Sequence, residues 1–507
     1  MTFGASAEPT GFNPNTSTDN SRGLQNVVEN VFPSVFRTQP DLSVRLDRDL
    51  MESAELTGER PETVTYRIKP AATWSDGVPI GAEDFAYLWR QSRGADRRID
   101  VATTAGYRDI RSVTGSRDGK TVTVVFARPF AEWRSLFFDL LPAHYVSRRP
   151  GGWNTGLNRD PQQIPSAGPF RIAGYARGES LTLERNPRHW GPRAHLDRIV
   201  FRFLPDSTAQ AEALRNGEVD VIDPRPQLDL VRTVQHLPGV RSQLRCGLSF
   251  EHLTFNLGNP ILADLAVRRA IALAMDRRQL LDRTVGQFSS GARVLGNRIW
   301  LPGQAAYQDH SDGYGRGDVA AAVRLLQQAG WVGGTDGVRA KGGRELRLRF
   351  STMKEDSIRV QLGLLLQDQL RRAGIALEIR NSDVKELFGD RLPHGNFDLV
   401  EFAWIGAPFA VSGSRDLYTT GGGGNYGRFT DPAVDDLFQR ATAELDPGRS
   451  AALANQIDRR LWEELPSIPL FQRPTFIAWR DTLRNVMDNH TVEGPLWNAG
   501  MWAYAAG

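Results

Sequence analysis

Few residues in this sequence have the types and spacing of a reaction centre. Ser351-Thr352-Met353-Lys354 has the Ser-x-x-Lys arrangement, in which a lysine amine activates a serine for acyl transfer. Ser382-Asp383-Val384-Lys385 repeats it, and neither Ser-Asp-Asn nor Lys-Thr-Gly occurs anywhere, so the pattern carries no nucleophile. Gly115-Ser116-Arg117-Asp118-Gly119-Lys120-Thr121 resembles a phosphate-cradling loop, but three residues separate its glycines where that loop has four. It also joins two strand-like runs, so no helix N-terminus would face a phosphate, and a β-hairpin turn is expected instead. The eight histidines (His144, His189, His195, His236, His252, His310, His394, His490) lack the close His/Cys spacings of a zinc site, and the one cysteine, Cys246, makes no internal disulfide. His189 and His195 flank Trp190-Gly191-Pro192 as loop or capping residues. No Gly-x-Ser-x-Gly elbow occurs. Nothing in these residues locates nucleophilic, general acid/base or metal chemistry, and no metal or cofactor is expected.

The elements that would position a binding site are mixed along the whole chain. Pro9-Thr10-Gly11-Phe12-Asn13-Pro14-Asn15 is a turn cluster, followed by helical spacing at Leu24, Val27, Val28 and Val31. Residues 63–68 alternate as a strand, Trp74-Ser75-Asp76-Gly77 makes a turn, and Glu83-Asp84 opens a helix over 85–90, acidic residues complementing the helix dipole. Strands are expected at 110–114, 121–126, 170–172, 181–184, 199–203, 346–350 and 377–379. Helices are expected at 209–216, 265–275, 319–329, 358–373, 433–444 and 449–465. This is an α/β chain with sheets in more than one lobe. Gly421 to Gly424 is a low-complexity stretch that reads as a mobile loop or as backbone that comes close to a ligand.

Composition narrows the class. The 507 residues exceed what one core usually serves, so two or three lobes are expected. The 62 Lys+Arg against 59 Asp+Glu are interspersed and leave only +3, which speaks against nucleic acid. No apolar stretch approaches the roughly 18 residues needed to span a bilayer. Met1-Thr2-Phe3-Gly4 lacks a basic n-region and an apolar h-region.

Tyr66-Arg67-Ile68-Lys69 with Trp74-Ser75-Asp76-Gly77-Val78-Pro79-Ile80-Gly81-Ala82-Glu83-Asp84-Phe85 resembles the signature of family 5 extracellular solute-binding proteins, the oligopeptide, dipeptide and nickel receptors of ATP-binding-cassette (ABC) importers. Later landmarks follow in the family's order: Ser166-Ala167-Gly168-Pro169-Phe170, Leu183-Glu184-Arg185-Asn186-Pro187, Gly217-Glu218-Val219-Asp220, Val267-Arg268-Arg269-Ala270-Ile271, Met275-Asp276-Arg277, Ala329-Gly330-Trp331 and Leu465-Pro466-Ser467-Ile468-Pro469-Leu470. Gly296-Asn297-Arg298-Ile299-Trp300-Leu301-Pro302-Gly303-Gln304 is most similar to actinobacterial lipoprotein members. The resemblance implies an α/β, two-lobed periplasmic-binding-protein fold of type 2 with an inserted third subdomain. Its segments are 1–45 for lobe I, 46–165 for the inserted subdomain, 166–254 for lobe I again, 255–479 for lobe II, and 480–507 returning to lobe I. Crossovers are expected near residues 254 and 477. The Trp-Ser-Asp-Gly turn is then a fold signature. The implied protein is an extracellular or periplasmic monomer, lipid-anchored in its precursor, that captures peptides or peptide-like solutes for a permease and ATPase. The alternative is an envelope-assembly or regulatory protein with the same scaffold that binds a glycolipid or protein partner, as one mycobacterial relative is linked to phosphatidylinositol mannoside assembly.

In peptide-binding relatives a Trp-x-x-Asp-Tyr element sets a carboxylate against the peptide's α-ammonium. Here the stretch reads Trp404-Ile405-Gly406-Ala407-Pro408-Phe409, and Ala407 stands at the acid's position. Asp19 or Asp416 is a substitute acid, unless the ligand has no free amino terminus. Trp404, Phe409 and Tyr426 are expected to line an apolar pocket or to pack in the core, and Asn425 to bond a ligand backbone. Ser17-Thr18-Asp19 corresponds to the lobe I loop that meets an extended peptide by strand-like hydrogen bonds, or caps the helix that follows.

Overall fold

The structure, a computed structural model, describes residues 1–334 and 336–505. Thr335 in the 255–479 segment and the last two positions of the 480–507 segment lie outside the described residues. The chain divides into two compact units: Met1–Arg245 with Ala443–Leu445 and Thr475–Gly507, and Cys246–Thr442 with Asp446–Pro474. The strands Val240–Phe255 and Ser467–Arg480 both run across the boundary.

In the first unit, Thr2–Ala5 pairs in parallel with Arg198–Phe203 on one side and Val221–Ile222 on the other. Ser180–Arg185 and Phe170–Ala176 extend this sheet antiparallel. Alternation sends Phe3, Phe201, Leu181, Leu183 and Ile199 into one core. A separate four-stranded antiparallel sheet is built from Met51–Glu59, Glu62–Ile68, Thr121–Phe126 and Ile110–Gly115. Its hairpin closes through Ser116 N–H to Thr121 O at 2.9 Å, with Gly119 at φ 71°, so the glycine-rich segment is a turn between strands.

The Trp74-Ser75-Asp76-Gly77 turn is fixed internally. Gly77 N–H donates to Trp74 O at 2.8 Å and φ is 95° there, a conformation that glycine adopts freely. The buried Trp74 donates its indole N–H to Asp84, whose carboxyl also accepts from Gly81 N and Ala143 N. Asp84 thereby ties the turn to the first turn of the helix Ala82–Ser92.

In the second unit, Arg347–Ser351 lies parallel between Ala376–Ile379 and Leu399–Ile405, and the latter runs antiparallel to Val240–Phe255. Leu265–Ala274 and Ser357–Arg371 bury Val267, Ile271, Leu362 and Leu366 against Leu253, Phe255, Leu348 and Phe350. Pro432–Ala443 and Pro447–Glu464 form a satellite core through Phe438, Ile457 and Leu461.

The family landmarks here are buried fasteners. Arg268 donates to Glu464 O at 2.7 Å and Leu262 O at 2.6 Å, satisfying carbonyls at helix ends. Arg277 reaches Pro469 O at 2.9 Å and Tyr314 O at 3.0 Å. Arg298, fully buried, pairs with Asp458 at 3.4 Å over the Trp462 ring, and His310 holds the same carboxylate at 2.7 Å.

Candidate functional site

In the second unit the register sets His252 opposite Phe402 and Phe250 opposite Trp404, so these four side chains share one face of the strand pair. Trp404 lies parallel to Tyr426, at 6.2 Å and 4° between planes, and near-parallel to His252, at 5.7 Å and 20°. Phe402 meets both Trp404 and His252 edge-on at 4.9 and 4.4 Å. Burial drives the His252 imidazole down to about 3, so the ring stays neutral and packs as an aromatic. The strand ends in Ile405, which is 65% exposed.

Beyond it, Gly406 N–H donates to Leu248 O at 2.7 Å, and a Cβ on Gly406 would stand 2.9 Å from that oxygen. This close approach fixes the exit of the chain into Ala407 and then into Phe409, the N-terminal cap of the helix Ala410–Tyr418. The four-glycine run returns toward that helix. A Cβ on Gly422 would lie 2.3 Å from Asp416 O, and one on Gly424 would lie 2.6 Å from Leu417. The glycines thus allow the loop to close on its own chain, which delivers Tyr426 to Trp404.

The other face of the same strands carries charge. Glu251 and Glu401, both fully buried, are one residue out of phase with His252 and Phe402. Glu251 accepts from Arg359 at 3.2 Å and from Arg473, and Arg473 also reaches Asp356 at 2.7 Å. Burial opposes ionisation of Glu251, but the two guanidiniums outweigh it and hold the carboxyl down at about 2. Burial and the Glu251 charge push Glu401 well above the carboxylate range, so it remains protonated, with Thr352 Oγ1 donating to it at 2.7 Å. Ser351 is buried and accepts from Arg391 at 3.2 Å, while Lys354 pairs with Asp383 at 3.6 Å, so the Ser-x-x-Lys residues do not form a nucleophile and base.

In the first unit, Ser17 N and Oγ and Thr18 N all donate to the Asp100 carboxylate. Asp19 is buried and accepts from Asn13 N at 3.2 Å, and Gly11 is packed so tightly that a Cβ there would collide with the Asp19 carboxyl. The helix cap expected of this segment is supplied by Ser21, which accepts from Leu24 N. Asp19 is therefore committed to its own loop and is not placed as a substitute acid, whereas Asp416 is exposed.

Of the residues singled out from sequence, Trp404 and Tyr426 are brought together. Asn425 bonds its own loop through Thr419 O, Phe429 O and Phe429 N, so its amide is a staple of that loop. Sequence reasoning missed His252, Phe402 and the Glu251–Arg359–Arg473 cluster. The alternation Glu401-Phe402-Ala403-Trp404 was the available signal, because it marks a strand with one aromatic and one acidic face.

Residues 47–426 match the pattern of bacterial extracellular solute-binding proteins, family 5 Middle. The chain is 35% identical over 483 residues to the oligopeptide-binding protein OppA of Mycobacterium tuberculosis, covering 94% of this chain and 80% of that protein. It is 31% identical over 425 residues to a probable monoacyl phosphatidylinositol tetramannoside-binding protein, LpqW, of the same organism, covering 77% and 65%. Among solved structures, the periplasmic EDTA-binding protein EppA superposes with a TM-score of 0.95 at 29% identity, covering 100% of this chain and 96% of that one. The oligopeptide-binding protein AppA of Bacillus subtilis, solved with a nonapeptide, gives 0.83 at 20% identity over 100% and 99%, a likeness of fold. With its two-lobed type 2 periplasmic-binding-protein fold, the chain belongs to the family 5 bacterial extracellular solute-binding proteins.

Proposed function

We propose that this protein captures a peptide or peptide-like solute and delivers it to the permease and ATPase subunits of an ABC importer. The observation that carries this reading is the parallel Trp404–Tyr426 pair beside the exposed end of the strand Leu399–Ile405. Flat apolar faces backed by a rigid, electrically balanced strand pair suit the side chains of an extended ligand. The name of the mycobacterial relative supports the peptide class, whereas the geometry gives the envelope-assembly reading no support of its own. The ligand set is Trp404, Phe409 and Tyr426 as apolar faces and Ala407 at the amino-terminal end, with Asn425 shaping its loop, while in the first unit Ser17, Thr18 and Asp19 shape theirs. The protein acts as a monomer outside the cytoplasmic membrane, lipid-anchored in its precursor, and releases its ligand unchanged. Residues 46–165 act as an inserted subdomain, a reading supported by their separate four-stranded sheet.

The test is calorimetry with matched free and N-acetylated peptides on the wild type and on Ala407→Asp. A carboxylate at 407 gains from an ammonium partner by about 1.5–3 kcal/mol, which is one to two decades in affinity. Free-amino peptides are expected to tighten by that factor and acetylated ones to remain unimproved. Equal responses would remove Ala407 from the amino-terminal position. EDTA and its metal chelates form a further arm; binding of these with no peptide bound would end the peptide assignment and keep solute capture. Product formation over many turnovers that disappears in Ser351→Ala would overturn the non-catalytic reading.

A further inference from the structure

The second unit has a concave feature that the capture reading does not use. Past the end of Val240–Phe255, the residues Asn256, Asn259, Arg344, Arg349, Asp398 and Arg428 line a groove of about 400 Å³. All of them fall inside that unit. One side is fully bonded. The buried Asp398 carboxyl accepts from Arg349 through both oxygens, at 2.9 and 3.2 Å, and from Asn259 at 2.8 Å. Asn256 spends its amide on Gly395 O and Phe397 O at 3.0 and 2.8 Å. The remaining guanidiniums are not neutralised: Arg428 donates to the carbonyl of His394 at 3.1 Å, and the Arg344 side chain, on a strand paired through its backbone with Lys341, has no hydrogen bond or ion pair among the described residues. Among the residues that line the groove three arginines face one carboxylate, a surplus of two positive charges in that lining, while Glu378 acts on Arg349 from the neighbouring strand.

The backbone is adapted to hold this charge. Arg428 has φ 58°, a left-handed conformation that a side chain with a Cβ rarely adopts without compensation. Its N–H is held by Asn425 O at 3.1 Å. Opposite it, Gly395 has φ 69°, and a Cβ there would stand 2.7 Å from the Arg428 guanidinium. A charged side chain on strained backbone, with room kept for it by a glycine, points to a purpose other than packing.

We propose that this groove binds a phosphate group, with Arg344 and Arg428 supplying the charge and Arg349, preset by Asp398, completing the rim. Guanidinium forks match tetrahedral oxyanions, and a phosphate of about −1.5 to −2 charge balances the surplus. The same chemistry is offered by a free phosphate or phosphomonoester and by a lipid headgroup.

The test uses the whole chain with inorganic phosphate in equilibrium dialysis, and with phosphatidylcholine vesicles with and without phosphatidic acid in co-sedimentation. Saturable one-to-one binding is expected, weakened about tenfold or more in Arg344→Gln/Arg428→Gln and less than about twofold in Arg198→Gln/Arg215→Gln, which removes equal charge from the first unit. Phosphate binding without vesicle binding assigns a free ligand; vesicle binding dependent on phosphatidic acid without phosphate binding assigns a headgroup. Arg344→Gln alone, which breaks no side-chain hydrogen bond or ion pair among the described residues, is expected to weaken binding about threefold or more and serves if the double variant misfolds. No binding of either probe, or equal binding by both double variants, overturns the proposal.

Discussion

In the second unit Glu251 shares two guanidiniums, Arg359 and Arg473, whereas in the first unit Glu29, Asp47 and Glu493 share the one guanidinium of Arg37 among the described residues. Burial acts on both clusters, yet Glu251 and Glu29 are shifted in opposite directions. Glu251 is held down at about 2. Burial, reinforced by the Glu493 charge, pushes Glu29 well above the carboxylate range and pushes Asp139 up to about 7. Burial by itself raises every carboxyl, so the number of guanidiniums within reach decides the outcome. The strand pair behind Trp404 and Tyr426 is electrically closed at neutral pH; in the first unit burial favours the protonated forms of Glu29 and Asp139.

The comparison breaks most visibly at Glu251. Glu251→Gln leaves Arg359 and Arg473 buried with less charge than they need, and a loss of about 3–5 kcal/mol is expected by urea denaturation at pH 7. The sign against pH follows from the lowered value. The stabilisation is full above the ordinary glutamate value of about 4.3 and fades as pH falls toward the folded value of about 2. The gap between variant and wild type must therefore narrow over that window. A gap that is constant from pH 5 to 3 would show that Glu251 does not carry the arginines' charge.

The first unit predicts the reverse sign. Asp139 has a raised folded value, so its contribution is full below about 3.9 and is lost as pH rises through about 7. Asp139→Asn keeps the left-handed backbone at φ 47°, which asparagine tolerates, and cannot ionise. Relative to wild type it is expected to gain about 2 kcal/mol between pH 5 and pH 8, after allowance for the partial exposure of Asp139. Scanning calorimetry at the two pH values measures this, and a falling difference would place the charged form in the fold.

Much of this architecture was legible because its signals are local. Trp74-Ser75-Asp76-Gly77 with Glu83-Asp84 gave the turn and the helix Ala82–Ser92, and apolar spacing gave Leu265–Ala274, Val319–Gln328 and Pro447–Glu464 to within a few residues. The helices Leu228–Gln235 and Ala410–Tyr418 were not foreseen, since Thr233 in the one and Ser412, Gly413 and Ser414 in the other have weak helix propensity and only tertiary packing stabilises them. The strand Val240–Phe255 was hidden because Arg241, Gln243 and Arg245 interrupt its apolar pattern. At the candidate site, Trp404 and Tyr426 could be named from sequence. Their stacking on His252 and the charge cluster behind them depend on strand register across about 150 residues, which no local pattern encodes.

The finest test of the comparison is Glu401→Gln, which asks whether the second unit already contains a protonated acid beside an ionised one. Glu401 Oε2 accepts from Thr352 at 2.7 Å, and the raised value of the group follows from burial, the Glu251 charge and a shared hydrogen bond with Glu251. Glutamine has the shape of protonated glutamate, accepts from Thr352 in the same way and donates its amide toward Glu251, so little changes if the native group is neutral. At pH 5 a difference within about 1 kcal/mol is expected. Because the folded value is raised, the wild type loses this group's contribution as pH rises above about 4.3, whereas the glutamine variant does not titrate. The variant should therefore match wild type at pH 5 and overtake it by pH 8, the same sign as Asp139→Asn and the opposite of Glu251→Gln. A loss of about 3 kcal/mol or more at pH 5 would mean that Glu401 is ionised beside Arg359, and that the second unit, unlike the first, keeps its buried acids charged.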